Sequence, residues 1–335
     1  MPRRHLAPCA LLAIAACADG GATPIDAPAV DTPAVDAPDG DATQVDAPPL
    51  ARHTFVVSRT TWPRSAAEAL SLGLDIDQLA GDTSGGIDNQ LGTFLGSLRG
   101  IAPALDIHLS DARAIDRGEA IALVELFAVG LTASPTATTA IHVGADPQPA
   151  ACTGPADTTC RRHLTGTASI GRAAGSAAGT PMPGAIVGQH LTGGPGTFTL
   201  QVGIGPTLVA VPMAATRVDW GTTATGLATG KLGGGIARSD FDATIVPALG
   251  TWFGVVIDAD CPAPRSGPSC NCANGSTGAS LLSFLDADND CTATAAEVRA
   301  TLDGLITNDL DLDHDGTNDA VSLGIGVEAV AATFP

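Results

Sequence analysis

The chain has 335 residues and a formal net charge of −19, and aromatic residues make up only 3% of it, with no tyrosine. Much of the acid lies towards the two ends and no basic stripe is present, so the sequence lacks the electrostatic footprint of a nucleic-acid-binding protein. The scarcity of aromatic rings also argues against stacking platforms for bases or sugars.

Residues 1–17 are predicted to form a signal segment. Arg3 and Arg4 give it a charged start, a short apolar run follows, and Ile14-Ala-Ala-Cys17 has the pattern of a lipobox. The run is too short for a permanent membrane helix. The segment resembles the signal peptides of bacterial lipoproteins, which implies that Cys17 is lipidated and that Ala18 directs the chain to the outer membrane. An ordinary cleaved signal with a chance cysteine is the alternative.

Residues 18–50 are predicted to be a disordered tether. A Val/Ile-Asp-Ala/Thr-Pro unit recurs in Ile25-Asp-Ala-Pro28, Val30-Asp-Thr-Pro33, Val35-Asp-Ala-Pro38 and Val45-Asp-Ala-Pro48. Recurrent proline denies this stretch both helix and sheet, and its like charges extend it. It resembles the Asp-Ala-Pro stalks of uncharacterised Gram-negative surface lipoproteins, which implies that it holds the rest of the chain away from a membrane.

Residues 51–260 predict a mainly β domain with helical insertions, built on an antiparallel, sandwich-like sheet. Helices are expected early, where capping residues and apolar periodicity coincide. Short Val/Ile/Leu/Thr runs divided by Gly and Pro then indicate strands. The predicted helices are 65–73, 88–99, 106–117 and an amphipathic segment 240–257 kinked at Pro247, and the predicted strands are 53–58, 120–129, 139–143, 163–170, 196–202 and 207–218, with a closing strand at 321–334.

An acidic pattern lies between the first two of these helices. Asp75 and Asp77 alternate, and Asp88 follows a Gly/Ser/Thr-rich stretch. The pattern is similar to a calcium loop interrupted by an insertion, which implies a cation site at these three residues. Asp88 is equally well explained as the N-cap of the next helix.

Six cysteines remain after Cys9 and Cys17, which suits an oxidising compartment, and fifteen pairings are formally possible. Cys152 and Cys160 bracket a Gly-Pro turn, so they are expected to bond each other. The other four, Cys261, Cys270, Cys272 and Cys291, are then expected to pair among themselves. A bond between Cys270 and Cys272 is excluded because so short a closure is strained.

No catalytic motif is visible. The stretch from Gly226 to Leu232 is too short for a phosphate-binding P-loop and lacks the following Ser or Thr, so it is interpreted as a strand turn. The histidines are scattered without a nucleophile at a suggestive spacing. An enzyme assembled from residues distant in sequence stays open as the alternative.

The strongest signal is a twelve-residue loop that begins at Asp286. Its acidic residues occupy positions 1, 3, 5 and 12, which is the oxygen-ligand spacing of an EF-hand loop. Helical patterns flank it, and Thr294 with Glu297 forms a capping box. The expected calcium ligands are Asp286, Asp288, Asp290, Thr292 and Glu297. Position 6, normally glycine, is Cys291, and a disulfide is expected to hold this turn.

A second acidic loop begins at Asp311 and has glycine at position 6, Gly316. Its twelfth residue is Ser322 instead of glutamate, so weaker binding is expected. The loop resembles those of dockerins and thrombospondin type 3 repeats, which implies the calcium ligands Asp311, Asp313, Asp315, Thr317 and Asp319. Solvated turns are the alternative for both loops.

The sequence therefore predicts a calcium-binding, lipid-anchored protein of the outer membrane or cell surface, exported through the periplasm, with a structural or ligand-binding role. Residues 261–335 form its disulfide-stapled EF-hand-type segment. The expected partners are the membrane, through the lipid, and an unidentified surface ligand or protein, but not nucleic acid. A calcium-stabilised secreted hydrolase is the alternative.

Overall fold

The computed structural model describes residues 48–78, 86–176, 179–223, 226–267 and 269–335. The predicted signal segment, the lipidation site Cys17 and the tether up to residue 47 lie outside these ranges. Residues 48–335 form one compact unit.

Nine strands make up the sheet in the described residues. Several are long, and all but the fourth and fifth have seven residues or more. Their bounds are β1 Ala51–Thr61, β2 Ala122–Ala128, β3 Ser134–Gln148, β4 Ala168–Arg172, β5 Met182–Val187, β6 His190–Ile204, β7 Thr207–Thr222, β8 Gly226–Ala237 and β9 Ala320–Thr333.

The strand pairings close the sheet on itself. Eight strands pair antiparallel in the order β1-β2-β3-β5-β6-β7-β8-β9, and β9 pairs back with β1. Outside this ring β4 pairs antiparallel with β3 and parallel with β9, which makes the sheet mixed. The prediction of a mainly β domain with helical insertions is confirmed. The sandwich is wrong, because bulged, coiling strands join into one barrel without free edges instead of two facing sheets.

The interior of the barrel is filled by side chains. Alternate residues of β6, namely Phe198, Leu200, Val202 and Ile204, are buried in the same cluster as Val57 of β1. The spaces left among the described lining residues are about 10 and 20 Å³, which is room for a water molecule at most. The inside of the barrel is therefore a packed core.

The helices come from two connections that leave the barrel at the same end, because β1 and β8 run in the same direction. Outside these two connections, a short 3₁₀ turn, Arg162–Leu164, precedes β4 in the β3–β4 connection. The β1–β2 connection holds α1 Ala66–Leu72, α2 Gln90–Ile101 and α3 Ile107–Arg117; the β8–β9 connection holds α4 Arg238–Asp240, a π-helical turn Phe241–Ile245, α5 Val246–Asp260, α6 Thr277–Leu285 and α7 Ala295–Leu305.

These helices cap the mouth of the barrel. Leu91 and Leu95 of α2 and Leu249 of α5 belong to the same buried cluster as the inward side chains of the strands. The segment Arg238–Asp260 is long and apolar enough to cross a membrane by length and composition, yet 44% of its most apolar window is buried in the protein. Its buried side chains, among them Leu249 and Phe253, belong to the core of the barrel.

A buried aspartate fixes α3 to the barrel. The Asp111 carboxylate accepts hydrogen bonds from Thr60 Oγ1 at 2.5 Å, Trp62 Nε1 at 2.8 Å and the Gly203 backbone N–H at 3.0 Å. Burial raises the pKa of Asp111, although these three donors oppose the shift. No local pattern predicts this contact, since the partners of Asp111 lie 49 or more residues away along the chain.

The sequence analysis did not predict two of the strands, β8 and β5. Residues 226–232, interpreted as a strand turn, lie in β8, where glycine is required at position 230 because a Cβ there would come within 2.0 Å of the Trp220 ring. Such a strand lacks the alternation by which strands are recognised. β5 is a second strand that the sequence did not predict. The predicted strand 163–170 is a 3₁₀ turn followed by β4.

Candidate cation-binding loops

The first acidic loop, loop one (residues 286–297), joins α6 to α7. Asp286 directly follows α6, and Thr294 is the N-cap of α7. The predicted capping box is present: Glu297 N–H donates to Thr294 Oγ1 at 3.3 Å, and Thr294 N–H donates to Glu297 Oε2 at 2.9 Å. Loop one is therefore held between two short helices, as the sequence predicts.

The carboxylates of loop one organise its own backbone. Asp286 accepts from Asp290 N–H at 3.0 Å and from Cys291 N–H at 2.8 Å. Asp290 Oδ1 accepts from Thr292 N–H at 2.8 Å. These bonds turn the chain so that the carboxylates point towards a common centre.

The second acidic loop, loop two (residues 311–319), has the same pattern. Asp311 accepts from Asp315 N–H at 3.2 Å and from Gly316 N–H at 2.8 Å. Asp315 Oδ1 accepts from Thr317 N–H at 2.8 Å. Position by position, these are the bonds of loop one, although loop two leads into strand β9 instead of a helix.

The backbone conformations agree as well. Positions 4 and 6 are left-handed in both loops, with φ of 60° at Asn289 and 69° at Cys291, and of 60° at His314 and 90° at Gly316. Only a few residue types adopt this region readily. Two stretches with different flanking structure thus share one turn geometry.

Each loop brings three carboxylates together. Asp286, Asp288 and Asp290 place one oxygen each within 4.8 Å of the others, and Asp311, Asp313 and Asp315 do the same. Partial desolvation and the neighbouring Asp290 charge raise the pKa of Asp288. A bound cation relieves such repulsion, so both groups can hold a metal ion.

The acidic residue that closes each loop also makes an equivalent bond in both. In loop one, Glu297 Oε1 accepts from Ala287 N–H at 2.9 Å. In loop two, Asp319 Oδ1 accepts from Leu312 N–H at 3.2 Å. Hydrogen bonds from the backbone and hydroxyl of Thr294 lower the pKa of Glu297, so it is ionised at neutral pH. Because Asp319 makes the bond in loop two that Glu297 makes in loop one, Asp319 is the closing group of loop two.

Ser322 is the twelfth residue counted from Asp311 and lies beyond loop two, where it contacts other partners. Its hydroxyl donates to Asp309 and accepts from Gln90 N–H at 2.7 Å. Burial, together with the Asp77 charge, raises the pKa of Asp309 even though Ser322 hydrogen-bonds to it. Ser322 thus packs β9 against α2 and does not close the loop.

The front acidic group, Asp75, Asp77 and Asp88, also converges within 4.8 Å. Asp88 Oδ2 accepts from Ile76 N–H at 2.7 Å, the counterpart of the bond that closes loop two. The N-cap of α2 is Asn89 and not Asp88, because the Asn89 side chain accepts from Gly92 N–H. The inserted residues 79–85 lie outside the described part of the chain.

The front group and loop two pack on one small core. Ile76, Leu310 and Ala320 are buried together, with Leu74 and Leu312 against them. Asp88 N–H donates to Leu74 O at 2.9 Å, as Asp319 N–H donates to Leu310 O at 2.9 Å. The front group and loop two therefore share this backbone hydrogen bond as well as the core on which they pack.

Three disulfides join the six predicted cysteines. Cys152 bonds Cys160, as their spacing predicts. The remaining bonds are Cys261–Cys272 and Cys270–Cys291, so Cys270 and Cys272 are not bonded to each other. The second of these ties position 6 of loop one to the segment before α6.

An ionic network attaches the exit helix of loop one to the barrel. Arg238, the residue directly after β8, bonds the carboxylates of Asp242 and Asp303 and donates to Ile306 O at 2.9 Å. Arg299 of α7 bonds Asp242 in turn. The helix that carries Glu297 is therefore fixed to the strand end.

A second polar cluster, unforeseen from the sequence, lies on the outer face of β1 to β4. The buried Glu125 accepts from Arg52 at 2.5 Å and from Arg172 and His142 at 3.1 Å. Both guanidinium groups lie over the Phe334 ring, 5.2 and 5.5 Å from its centre. Burial opposes ionisation of Glu125, but the donors and the two Arg charges lower its pKa on balance. The cluster holds the C-terminal segment against the sheet.

Comparisons with protein-family models, curated proteins and solved structures find no match to this chain. The resemblance of the loops to those of EF-hands, dockerins and thrombospondin type 3 repeats therefore stays a prediction from the sequence. The loop geometry stands without it.

Proposed function

We propose that this chain is a calcium-binding protein of the cell surface, lipid-anchored at Cys17 and carried by the tether 18–50, in which calcium at loop one and loop two stabilises the folded barrel domain. The supporting observation is that two loops with different flanks repeat one set of backbone bonds around three converging carboxylates. A solvated turn has no need of that repeated arrangement.

Calcium fits this donor set better than other common metals. The converging side chains are carboxylates without imidazole, and the two nearby sulfurs are bonded to each other. Zinc prefers nitrogen and thiolate ligands, and magnesium demands a more rigid octahedral shell. Flexible loops with several carboxylate and carbonyl oxygens suit calcium, at dissociation constants of about 10⁻⁴–10⁻³ M as in extracellular modules.

The proposal is confined to the two loops whose turns are fully described. The front group can also hold a metal ion, but it has no described residue that corresponds to position 5 of the other loops. We assign a stabilising role because the barrel interior is packed and both loops lie in the connection that caps its mouth. Any ligand of this protein would meet its outer surface.

Thermal unfolding tests the stabilising role. An ion that binds only the folded state, at one hundred times its dissociation constant, contributes about 2.7 kcal/mol per site. The melting temperature should therefore fall by several degrees when calcium is replaced by a chelator, and magnesium should restore it only in part. Equal melting temperatures in chelator and in calcium at one hundred times the dissociation constant would show that the loops are solvated turns.

The anchor has its own test. Changing Cys17→Ala removes the acylated residue, so the variant should move from the membrane to the soluble fraction when cells are fractionated. Cys9→Ala is the matched control, because it changes the other cysteine of the signal segment and should leave the chain on the membrane. Continued membrane association of the Cys17→Ala chain would contradict lipidation at that residue.

A further inference from the structure

Loop one and loop two differ at the position that most constrains the turn. Position 6 is Cys291 in one and Gly316 in the other, and both are left-handed, with φ of 69° and 90°. A Cβ in this conformation costs roughly 1–2 kcal/mol. At position 6, loop two avoids this cost with glycine, whereas loop one bears it at Cys291 and has a contact that can offset it.

The compensating contact is covalent. Cys291 is bonded to Cys270, and it is buried, with 3% of its surface exposed. Cys270 lies two residues before Cys272, which is bonded to the buried Cys261 at the end of α5. Two disulfides in succession therefore anchor the turn of loop one to the helix that caps the barrel.

The conformation of Cys291 bears directly on the cation ligands. In the left-handed turn its N–H donates to Asp286 Oδ2 at 2.8 Å, as Gly316 N–H donates to Asp311 Oδ2 at 2.8 Å. If position 6 relaxed to an ordinary conformation, this N–H would turn away from the first carboxylate. The three carboxylates of loop one would then no longer be preorganised.

We propose that the Cys270–Cys291 disulfide takes the place of the missing glycine and makes cation binding at loop one dependent on oxidation, while loop two binds regardless of redox state. The inference rests on the proposed calcium binding and adds to it a regulation of loop one by oxidation. Reduction by a dithiol breaks the Sγ–Sγ bond, places two electrons and two protons on the two cysteines, and oxidises the dithiol to its own disulfide.

Variants test the proposal without reducing the other disulfides. In a chain whose loop two is disabled by Asp313→Ala, calorimetry measures calcium binding at loop one alone. Cys270→Ser with Cys291→Ser keeps the Cβ but removes the bond, and should weaken binding about five- to thirtyfold, the equivalent of the left-handed cost. Cys270→Ser with Cys291→Gly should bind as the parent does, with or without a dithiol.

Two controls isolate the turn from general effects. Cys152→Ser with Cys160→Ser removes a disulfide from the β3–β4 connection and should leave binding at loop one unchanged. In the chain with both loops intact, Gly316→Ser adds a Cβ that meets no atom within 4 Å, so it should weaken loop two by a similar factor through its backbone alone. The unfolding transition of each variant establishes that it is folded.

The outcomes separate this inference from the proposed function. Calcium binding in the parent chain that is unchanged in the serine pair would overturn the redox dependence and leave the proposed function intact. Weak binding in the glycine pair would also overturn it, because the glycine would then not replace the bond. Absence of calcium binding in the unmodified chain would overturn both. If the serine pair fails to fold, the comparison of the parent and the glycine pair in dithiol decides.

Discussion

The closing carboxylates distinguish the two loops more than their first three carboxylates do. Glu297 can offer two oxygens and also completes the capping box of α7. Asp319 is shorter, and the residue at the twelfth position, Ser322, is bonded to Asp309. Loop one therefore has the longer closing carboxylate, which could offer two oxygens to a cation, whereas loop two has the unstrained glycine.

We predict that Glu297→Gln weakens calcium binding at loop one by tenfold or more, a loss of at least about 1.4 kcal/mol, and leaves loop two unchanged. Glutamine can still complete the capping box, so the helix should persist. Glu119→Gln, which changes an exposed glutamate remote from the loops, is the matched control. Calorimetric titration checks the prediction, and equal weakening by both variants would refute a specific role for Glu297.

Both loop patterns could be predicted because ligand spacing is a local property: alternating Asp, a capping box and a position-6 residue lie within twelve positions. The partners of Ser322 could not, since Gln90 is 232 residues away. The same limit applies to the buried Asp111 and to Glu125. Their roles come from strand neighbours that the sequence does not reveal.

At the scale of the secondary-structure elements, the Asp111 side chain attaches α3 to the barrel. Asp111 receives three donors from β1, from the residue after it and from β6. We predict that Asp111→Ala lowers the free energy of unfolding by about 3 kcal/mol or more, because three buried donors lose their acceptor. Chemical denaturation measures this loss. Asp116, on the same helix, forms an ion pair with the half-exposed Arg161. The control variant Asp116→Ala should therefore lower the free energy of unfolding by about 1 kcal/mol or less.

The cluster around Glu125 links β1 to β4 and makes a pH-dependent contribution. The folded pKa of Glu125 lies below its ordinary value, so its stabilisation is present above that ordinary value and is lost as the pH falls through the folded value. We predict that Glu125→Gln lowers the free energy of unfolding at neutral pH by about 1–3 kcal/mol. In acid, the free energies of unfolding of variant and parent should lie closer together. Denaturation curves at neutral and acidic pH check this, and a constant difference would contradict it.

The strands show why the architecture was predicted only in part. Runs such as β7 alternate and are readily recognised, and the early helices begin at capping residues that the sequence displays. β8 is rich in glycine because its neighbours approach closely at Gly230 and Gly234, and this removes the alternation. Without β8 the ring cannot be recognised as closed, so the sequence suggested two sheets.

In the molecule as a whole, each loop is directly connected to an element that closes or caps the barrel. β9 follows loop two directly and pairs with both β8 and β1, so it closes the ring. α7 follows loop one and is fixed to the end of β8 through Arg238. An ion that fixes either loop would therefore also restrain an element of the capped end, which is the physical basis of the stabilisation that we propose for calcium.

Calorimetric titration of the metal-free folded chain with calcium tests the central claim most directly. The account predicts saturable binding at both loops with dissociation constants of about 10⁻⁴–10⁻³ M, and loss of that binding when Glu297→Gln and Asp313→Ala are combined. Acid should weaken it, because the carboxylates must be ionised to bind. No saturable binding in the unmodified chain, or equal binding in the combined variant, would contradict the assignment of these loops as calcium sites.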